Sequence, residues 1–175
     1  MHQERLNQAE AAVLRESPVL PSRPPDPVVL WLTKAARGSR LWLVLAGALA
    51  VHKGATRQAA VLALQSIAIS TVVNHLVVKR LTHRRRPRAG NVPAHQALGK
   101  PPTSAAFPSA HATSAGAFTT ALTLCEPRLG LAAMPVAAAV IYGRVRTRAH
   151  WPTDVLGGLV LGSATAAILN RVKRK

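Results

Sequence analysis

Two long segments of the chain contain no charged residue, and this limits the folds that the chain can adopt. Residues 58–78 (QAAVLALQSIAISTVVNHLVV) and 110–124 (AHATSAGAFTTALTL) are apolar apart from Gln, Ser, Thr, Asn and His. Helices of a soluble bundle carry charge on their outer faces, whereas small and mildly polar side chains are typical of helix contacts in a bilayer. The first segment also reaches the roughly 20 residues that a membrane span requires. We therefore predict an all-α integral membrane helical bundle.

The apolar segments indicate the number of helices. About five transmembrane helices are predicted, at residues 39–51, 58–78, 110–124, 128–142 and 153–170. Before them, residues 3–16 predict a short amphipathic helix and residues 28–37 an interfacial helix, with a proline-rich linker at 17–27. We expect two parts, an N-terminal segment at 1–38 and a membrane-embedded domain at 39–175. No apolar run typical of a secretory signal occurs near the start, so we expect the N-terminus to be retained.

The net charge of +17 indicates an anionic partner. A chain this basic usually binds nucleic acid, an anionic membrane surface or a phosphorylated substrate. A nucleic-acid-binding protein remains an alternative, although the chain has only six aromatic residues and no base-reading motif. A requirement for detergent during extraction distinguishes a membrane protein from that alternative. The single cysteine, Cys125, excludes an intramolecular disulfide.

Three polar segments lie at the ends of the predicted helices. They are residues 79–87 (KRLTHRRRP), 107–111 (FPSAH) and 143–154 (GRVRTRAHWPTD). Because consecutive helices of a simple bundle run up and down, all three segments should gather at one end of it. We predict the functional site at that end.

The cations of these segments suit a phosphate group. Lys79, Arg86 and Arg144 supply positive charge, and the planar fork of arginine matches phosphate oxygens. A helix that starts near Ser109 presents unpaired backbone N–H groups, that of Ala110 included, and the positive end of its dipole. These groups together predict an anion site.

Two histidines predict chemistry at that anion site. Pro152 is suited to the first position of a helix, which places Asp154 in the first turn, with its carboxylate able to reach back to His150. A carboxylate on one imidazole nitrogen fixes the tautomer and leaves the other nitrogen nucleophilic. His111 lies in the first turn of another predicted helix. One histidine can then attack phosphorus while the other protonates the departing oxygen.

We predict that the site uses no metal and no cofactor. The chain has six carboxylates, Glu4, Glu10, Glu16, Asp26, Glu126 and Asp154. No two of them can hold Mg²⁺ beside the histidines, because only one lies near a motif. We expect Lys and Arg to neutralise the phosphate charge instead.

The pattern Lys-x6-Arg-Pro, Pro-Ser-x-His and Arg-x5-His-x3-Asp over residues 79–154 resembles the signature of the type 2 phosphatidic acid phosphatase superfamily. That family includes membrane lipid phosphatases and is related to vanadium haloperoxidases. The resemblance implies a metal-independent lipid phosphatase in which His150 is the nucleophile, Asp154 its partner and His111 the proton donor. It also implies a phosphate-binding set, which is Lys79, Arg86, Ser109, Ala110 and Arg144.

Two positions depart from the family pattern. Ala110 replaces the usual glycine, so its backbone cannot require a positive φ. Gly143 replaces the usual serine before Arg144, which removes one hydroxyl donor. A catalytically inactive lipid-phosphate-binding protein is therefore a further alternative.

The resemblance also bears on substrate and location. Family substrates include phosphatidic acid, phosphatidylglycerophosphate, polyprenyl diphosphates and polyprenyl-phosphate sugars, and the run around Ser109 is similar to actinobacterial members, some of which act on decaprenylphosphoryl phosphoribose. We expect a lipid phosphate and the bilayer of the cell membrane as partners and no nucleic acid. With five spans, the site face holds 16 of the 23 Lys and Arg. The positive-inside rule then places the site on the cytoplasmic face.

Several polar residues have simpler interpretations. Arg84, Arg85 and Arg88 are expected to be solvated or to face headgroups, as most charge runs do. Asn74 and His75 are expected to hydrogen-bond inside the bundle. The ring of Trp151 can pack over the site or lie at the bilayer interface, and we expect the interface.

Overall fold

The computed structural model describes residues 2–16, 26–87 and 104–175, and its regular elements there are all helices. They are α1 (His2–Glu16), α2 (Pro27–Ala35), α3 (Arg40–Ala50), α4 (Ala55–Val73), α5 (Lys79–Thr82), α6 (Ala110–Cys125), α7 (Pro127–Arg146) and α8 (Pro152–Lys173). A 3₁₀ turn (Arg37–Ser39) precedes α3, and a π-helical turn (Asn74–Val78) joins α4 to α5. The all-α prediction is confirmed, and each of the five apolar segments forms a helix.

Three helical stretches are long and apolar enough to cross a membrane. They are Ala55–Thr82, Pro127–Arg146 and Pro152–Lys173, with 28, 20 and 22 residues. The other two apolar helices are shorter, since α3 has 11 residues and α6 has 16. At about 1.5 Å per residue, α6 rises roughly 24 Å, less than the roughly 30 Å of a hydrocarbon core. Within the described residues, three of the five predicted spans therefore have the length of a full crossing.

Helix α6 is the centre of the bundle and packs against α4, α7 and α8. Its contact with α8 is close enough to exclude side chains. A Cβ added at Gly162 would lie 2.0 Å from the backbone oxygen of Thr113, and one at Gly158 would lie 2.5 Å from that of Ser109. Glycines four residues apart lie on one helix face, and small residues there let helix backbones approach. The contact fixes the start of α6 against the start of α8, where Ser109 N donates to Asp154 O at 2.9 Å.

The helices alternate in direction, as predicted. At one end, a cavity of about 580 Å³ is lined by residues from the start of α4 and the ends of α6 and α8. The three motif segments lie at the opposite end. They meet there because each follows or precedes an apolar helix of the alternating bundle.

A π-helical turn extends the second apolar segment beyond its predicted end. Residues 79–82 start the predicted polar segment 79–87 but remain helical, and residues 88–103 after that segment lie outside the described residues. An extra residue in a turn rotates all that follows by about 100°. Asn74 begins this turn, is fully buried and donates from Nδ2 to Thr113 Oγ1 at 2.8 Å. The turn therefore sets the direction in which Lys79 leaves the helix.

The two predicted N-terminal helices are present as α1 and α2. Most of the predicted linker at 17–27 lies outside the described residues, but its last two residues start α2. Asp26 Oδ1 accepts from Val28 N at 2.7 Å, and Pro27 occupies the first helical position. Helix α2 packs along α7. The domain boundary at residue 38 stays a prediction.

Candidate active site

The predicted site residues come together at one end of the bundle. A cavity of about 250 Å³ is lined by six of them, Lys79, Arg86, Ala110, His111, Arg144 and His150. The other two, Ser109 and Asp154, are fully buried beside it. Ser104, which the sequence did not indicate, also lines the cavity and accepts from Lys79 Nζ at 3.3 Å.

His150 lies in the short loop between α7 and α8 and is 2% exposed. Its Nδ1 is 2.8 Å from the backbone oxygen of Ala106. Because a carbonyl only accepts hydrogen bonds, Nδ1 carries the proton and Nε2 carries a lone pair. Nε2 faces Arg86 Nη1 at 3.1 Å. Burial lowers the pKa of His150 to about 4, with Arg144 and Arg86 lowering it further and Asp154 opposing them. The imidazole is therefore neutral at physiological pH, as a nucleophile must be.

Asp154 differs from its expected geometry. Its Oδ2 lies 3.7 Å from His150 Nδ1, which is too long for a hydrogen bond. The carbonyl of Ala106 occupies the donor direction of that nitrogen instead, while Asp154 Oδ2 accepts from Trp151 N at 2.8 Å. The carboxylate therefore stabilises the loop and contributes negative charge beside the imidazole, and the backbone fixes the tautomer.

The expectation that Arg84 is solvated is wrong. Arg84 is 8% exposed and donates from Nη1 to Asp154 Oδ1 at 2.8 Å and to Thr153 Oγ1 at 2.6 Å. A carboxylate as deeply buried as Asp154 requires a charged partner, and Arg84 is that partner. Arg85 is exposed as expected, and Arg88 lies outside the described residues.

Helix α1 contacts the same arginine. Asn7 Oδ1 accepts from Arg84 Nε and Nη2 at 3.1 and 2.8 Å, and Glu10 Oε2 pairs with Nη2. Glu10 Oε1 also accepts from Thr153 N at 2.9 Å. The sequence signal for this contact is slight: Asn7 and Glu10 lie three residues apart, on one face of α1. That spacing predicts an amphipathic helix but not its partner.

Two further residues differ from their expected positions. Trp151 is 7% exposed rather than at an interface, because its ring packs against Ala106 and lies 5.7 Å from the Arg84 guanidinium, and its Nε1 donates to Arg85 O. His75 is exposed and lines the cavity, so it is not an internal hydrogen-bonding residue. The expectation for Asn74 is confirmed by its bond to Thr113.

Backbone carbonyls hold two cations of the predicted phosphate-binding set in place. Lys79 Nζ donates to Ala105 O at 3.2 Å, and Arg86 Nη1 donates to Ala149 O at 2.7 Å, which holds both cations at the cavity wall. Helix α6 begins at Ala110, which has no positive φ, so glycine is not required there. This confirms the expectation for that backbone.

Three buried site atoms have no hydrogen-bond partner among the described residues, namely Ser109 Oγ, His111 Nε2 and Arg144 Nε. A buried polar atom left unpaired costs about 1–3 kcal/mol. Three of them around one cationic cavity indicate that the site is built for a ligand with several oxygens. The ring of His111 is also fixed from the side of α2, because it forms a hydrogen bond with the backbone of Thr33.

The fold and this cavity define a helical membrane protein with a cation-lined histidine site. The chain belongs to the PAP2 superfamily, whose family model matches residues 59–175. It is 35% identical over 99 residues to the decaprenylphosphoryl-5-phosphoribose phosphatase of Mycobacterium tuberculosis, over 55% of this chain and 52% of that protein. It is 32% identical over 139 residues to the undecaprenyl-diphosphatase of Sulfolobus acidocaldarius, over 78% of this chain and 65% of that protein. The chain thus spans about half the length of the mycobacterial relative.

A solved structure shares the fold. The transmembrane PAP2 type phosphatidylglycerolphosphate phosphatase from Bacillus subtilis superposes with a TM-score of 0.70 over 97% of this chain and 87% of that one. The sequence identity is 22%, so this likeness concerns the fold alone. The family membership favours the membrane phosphatase over the nucleic-acid-binding alternative.

Proposed function

We propose that this protein hydrolyses a membrane lipid phosphate or diphosphate without a metal, through a phosphohistidine intermediate on His150. The observation that carries the proposal is the unprotonated Nε2 of His150 at the wall of a cavity that also holds His111 and three cations. A neutral nucleophile beside fixed positive charge suits attack on a phosphate dianion.

In the first step, His150 Nε2 forms a bond to phosphorus while the bond from phosphorus to the lipid oxygen breaks. The bound phosphate dianion favours the protonated form of His111, which gives its Nε2 proton to that oxygen. The lipid alcohol then leaves, or the lipid monophosphate where the substrate is a diphosphate. Lys79, Arg86 and Arg144 bind the equatorial oxygens, whose charge grows in the transition state.

In the second step, water attacks the phosphohistidine. Neutral His111 now accepts a proton from the water, the nitrogen–phosphorus bond breaks, and inorganic phosphate leaves. His150 returns to its starting tautomer because Ala106 O holds the Nδ1 proton throughout. One water is consumed, and both histidines end as they began.

The residues favour charge neutralisation by Lys and Arg rather than by a metal. Asp154 is the carboxylate closest to the histidines, and its two oxygens are already bonded to Arg84 and to Trp151 N. A divalent cation prefers several carboxylate or carbonyl oxygens. We therefore propose activity that survives chelation.

The names of the relatives favour a polyprenyl substrate. One acts on decaprenylphosphoryl-5-phosphoribose and another on an undecaprenyl diphosphate. We propose the cell membrane as the location and its cytoplasmic face as the side of the site, because the five-span topology predicted from the sequence assigns 16 of the 23 Lys and Arg to the site face.

Phosphate release from a lipid panel tests the function. The protein, purified in detergent, is assayed with EDTA on phosphatidic acid, phosphatidylglycerophosphate, undecaprenyl diphosphate and decaprenylphosphoryl phosphoribose. We expect release from at least one polyprenyl substrate, unaffected by EDTA and absent from a His150→Ala control. Release that EDTA abolishes would contradict the metal-independent mechanism. Tight binding without release would instead indicate the inactive binding protein.

The low pKa of His150 predicts activity at unusually acid pH. A histidine with an ordinary pKa near 6.5 is protonated below about pH 6 and cannot attack. Because the pKa of His150 is lowered to about 4, its neutral form persists through the window between these two values. We expect the acid limb of kcat/KM, which reports the free enzyme, near pH 4. The ionisation of the substrate phosphate is measured separately by phosphorus NMR, and the kcat/KM profile is corrected for it. An acid limb that stays near pH 6.5 after this correction would contradict the prediction.

A further inference from the structure

Helices α2 and α7 approach each other closely at Gly143. Thr33, in the last turn of α2, is 1% exposed, and its Oγ1 donates to Val29 O at 2.7 Å. A Cβ added at Gly143 would lie 2.1 Å from Thr33 Oγ1 and 3.2 Å from Thr33 Cβ. The threonine side chain therefore occupies the space that a residue larger than glycine would need.

The backbone of the same threonine reaches the site. The last carbonyls of a helix have no partner within it, and that of Thr33, near the end of α2, accepts a hydrogen bond from His111. A carbonyl at the negative end of a helix dipole favours the protonated imidazole. This matters because burial of His111, and after it the nearby Arg144, His150 and Arg37, disfavour its positive charge.

We propose that Thr33 is a positioning residue of this active site, whose side chain sets the spacing of α2 against Gly143 and whose carbonyl orients His111 as proton donor. The inference rests on the proposed function. It makes α2, which lies before the residues matched by the family model, part of the catalytic bundle. Glycine at position 143 is then matched to Thr33 and is not a defect of the phosphate site.

A double-mutant cycle tests the pairing. Gly143→Ala adds the clashing Cβ, Thr33→Ala removes the opposing hydroxyl but keeps the carbonyl, and the double variant has both changes. We expect kcat on a lipid phosphate to fall about 10²-fold in Gly143→Ala, as a misplaced catalytic group costs. In Thr33→Ala alone, kcat should fall less than tenfold. The double variant should recover most of the kcat that Gly143→Ala loses. With para-nitrophenyl phosphate, whose leaving group needs no proton, the rate of phosphoenzyme formation in Gly143→Ala should fall less than tenfold.

Two readouts do not require turnover. Thermal unfolding should show the same pattern: the Tm of Gly143→Ala should be lowered, and that of the double variant should return close to the wild-type value. In ¹⁵N-histidine NMR, the ring nitrogen shifts of His111 should change in Gly143→Ala and return to their wild-type values in the double variant. Additive effects in both measurements, or full activity of Gly143→Ala, would overturn the inference. A wild-type protein without turnover would overturn the proposed function alone, since the cycle can still be read by NMR and unfolding.

Discussion

A His150→Ala protein is expected to release no phosphate from any substrate, whereas a His111→Ala protein is expected to form the phosphohistidine slowly only where the leaving oxygen needs a proton. General acid catalysis typically contributes about 10²–10⁴-fold. A lipid alkoxide leaves poorly unless it is protonated, but para-nitrophenolate is stable as an anion. We therefore expect the rate of phosphoenzyme formation in His111→Ala to fall about 10²–10⁴-fold with a lipid phosphate and far less with para-nitrophenyl phosphate. Turnover of both substrates should be slow, because the second step also uses His111.

The comparison has a matched control within the chain. His52 is exposed and lies near the start of α4, at the far end from the site, so His52→Ala should behave as wild type on both substrates. Rapid-quench labelling should detect a phosphoenzyme in His111→Ala with para-nitrophenyl phosphate and none in His150→Ala. Equal losses in the rate of phosphoenzyme formation with both substrates in His111→Ala would contradict its role as proton donor.

Replacement of Arg84 by methionine is expected to destabilise the protein and to reduce turnover together. Asp154, at a fully buried position, would lose the partner of its Oδ1. Breaking a buried ion pair by removal of one partner typically costs about 3–5 kcal/mol. The loop that carries His150 would also lose its anchor, because Arg84 bonds Thr153 in the same turn.

Thermal unfolding and kcat measured on the same protein check this prediction. Arg85→Met, at the exposed neighbour, is the matched control and should change neither quantity appreciably. An Arg84→Met/Asp154→Asn protein should regain much of the lost stability, since the buried charge is gone, without regaining wild-type kcat. Wild-type stability in Arg84→Met would show that the ion pair contributes little.

Residues within the motifs could be predicted because their spacing is short and their helices alternate. His150 and Asp154 are four residues apart at a helix start, so local geometry alone brings them close. His111 and Ser109 join them because α6 and α8 run side by side, which follows from the order of the apolar segments.

The partners of these residues could not be predicted in the same way. In the sequence, Arg84 is one of several arginines in a charge run, and its partner Glu10 lies 74 residues away. The acceptor of the His150 proton is a backbone carbonyl, which no side-chain pattern reveals. The π-helical turn that directs Lys79 has no sequence signature in its five residues, Asn74–Val78.

The contact between α1 and Arg84 also links the topology of the chain to that of the site. Since Glu10 touches residues at the start of α8, α1 lies on the same side of the bilayer as the cavity. A small epitope near residue 1, probed in sealed vesicles with an impermeant reagent, therefore reports the leaflet from which the substrate is drawn. One topological marker at the N-terminus is enough to determine on which side of the membrane the proposed reaction takes place.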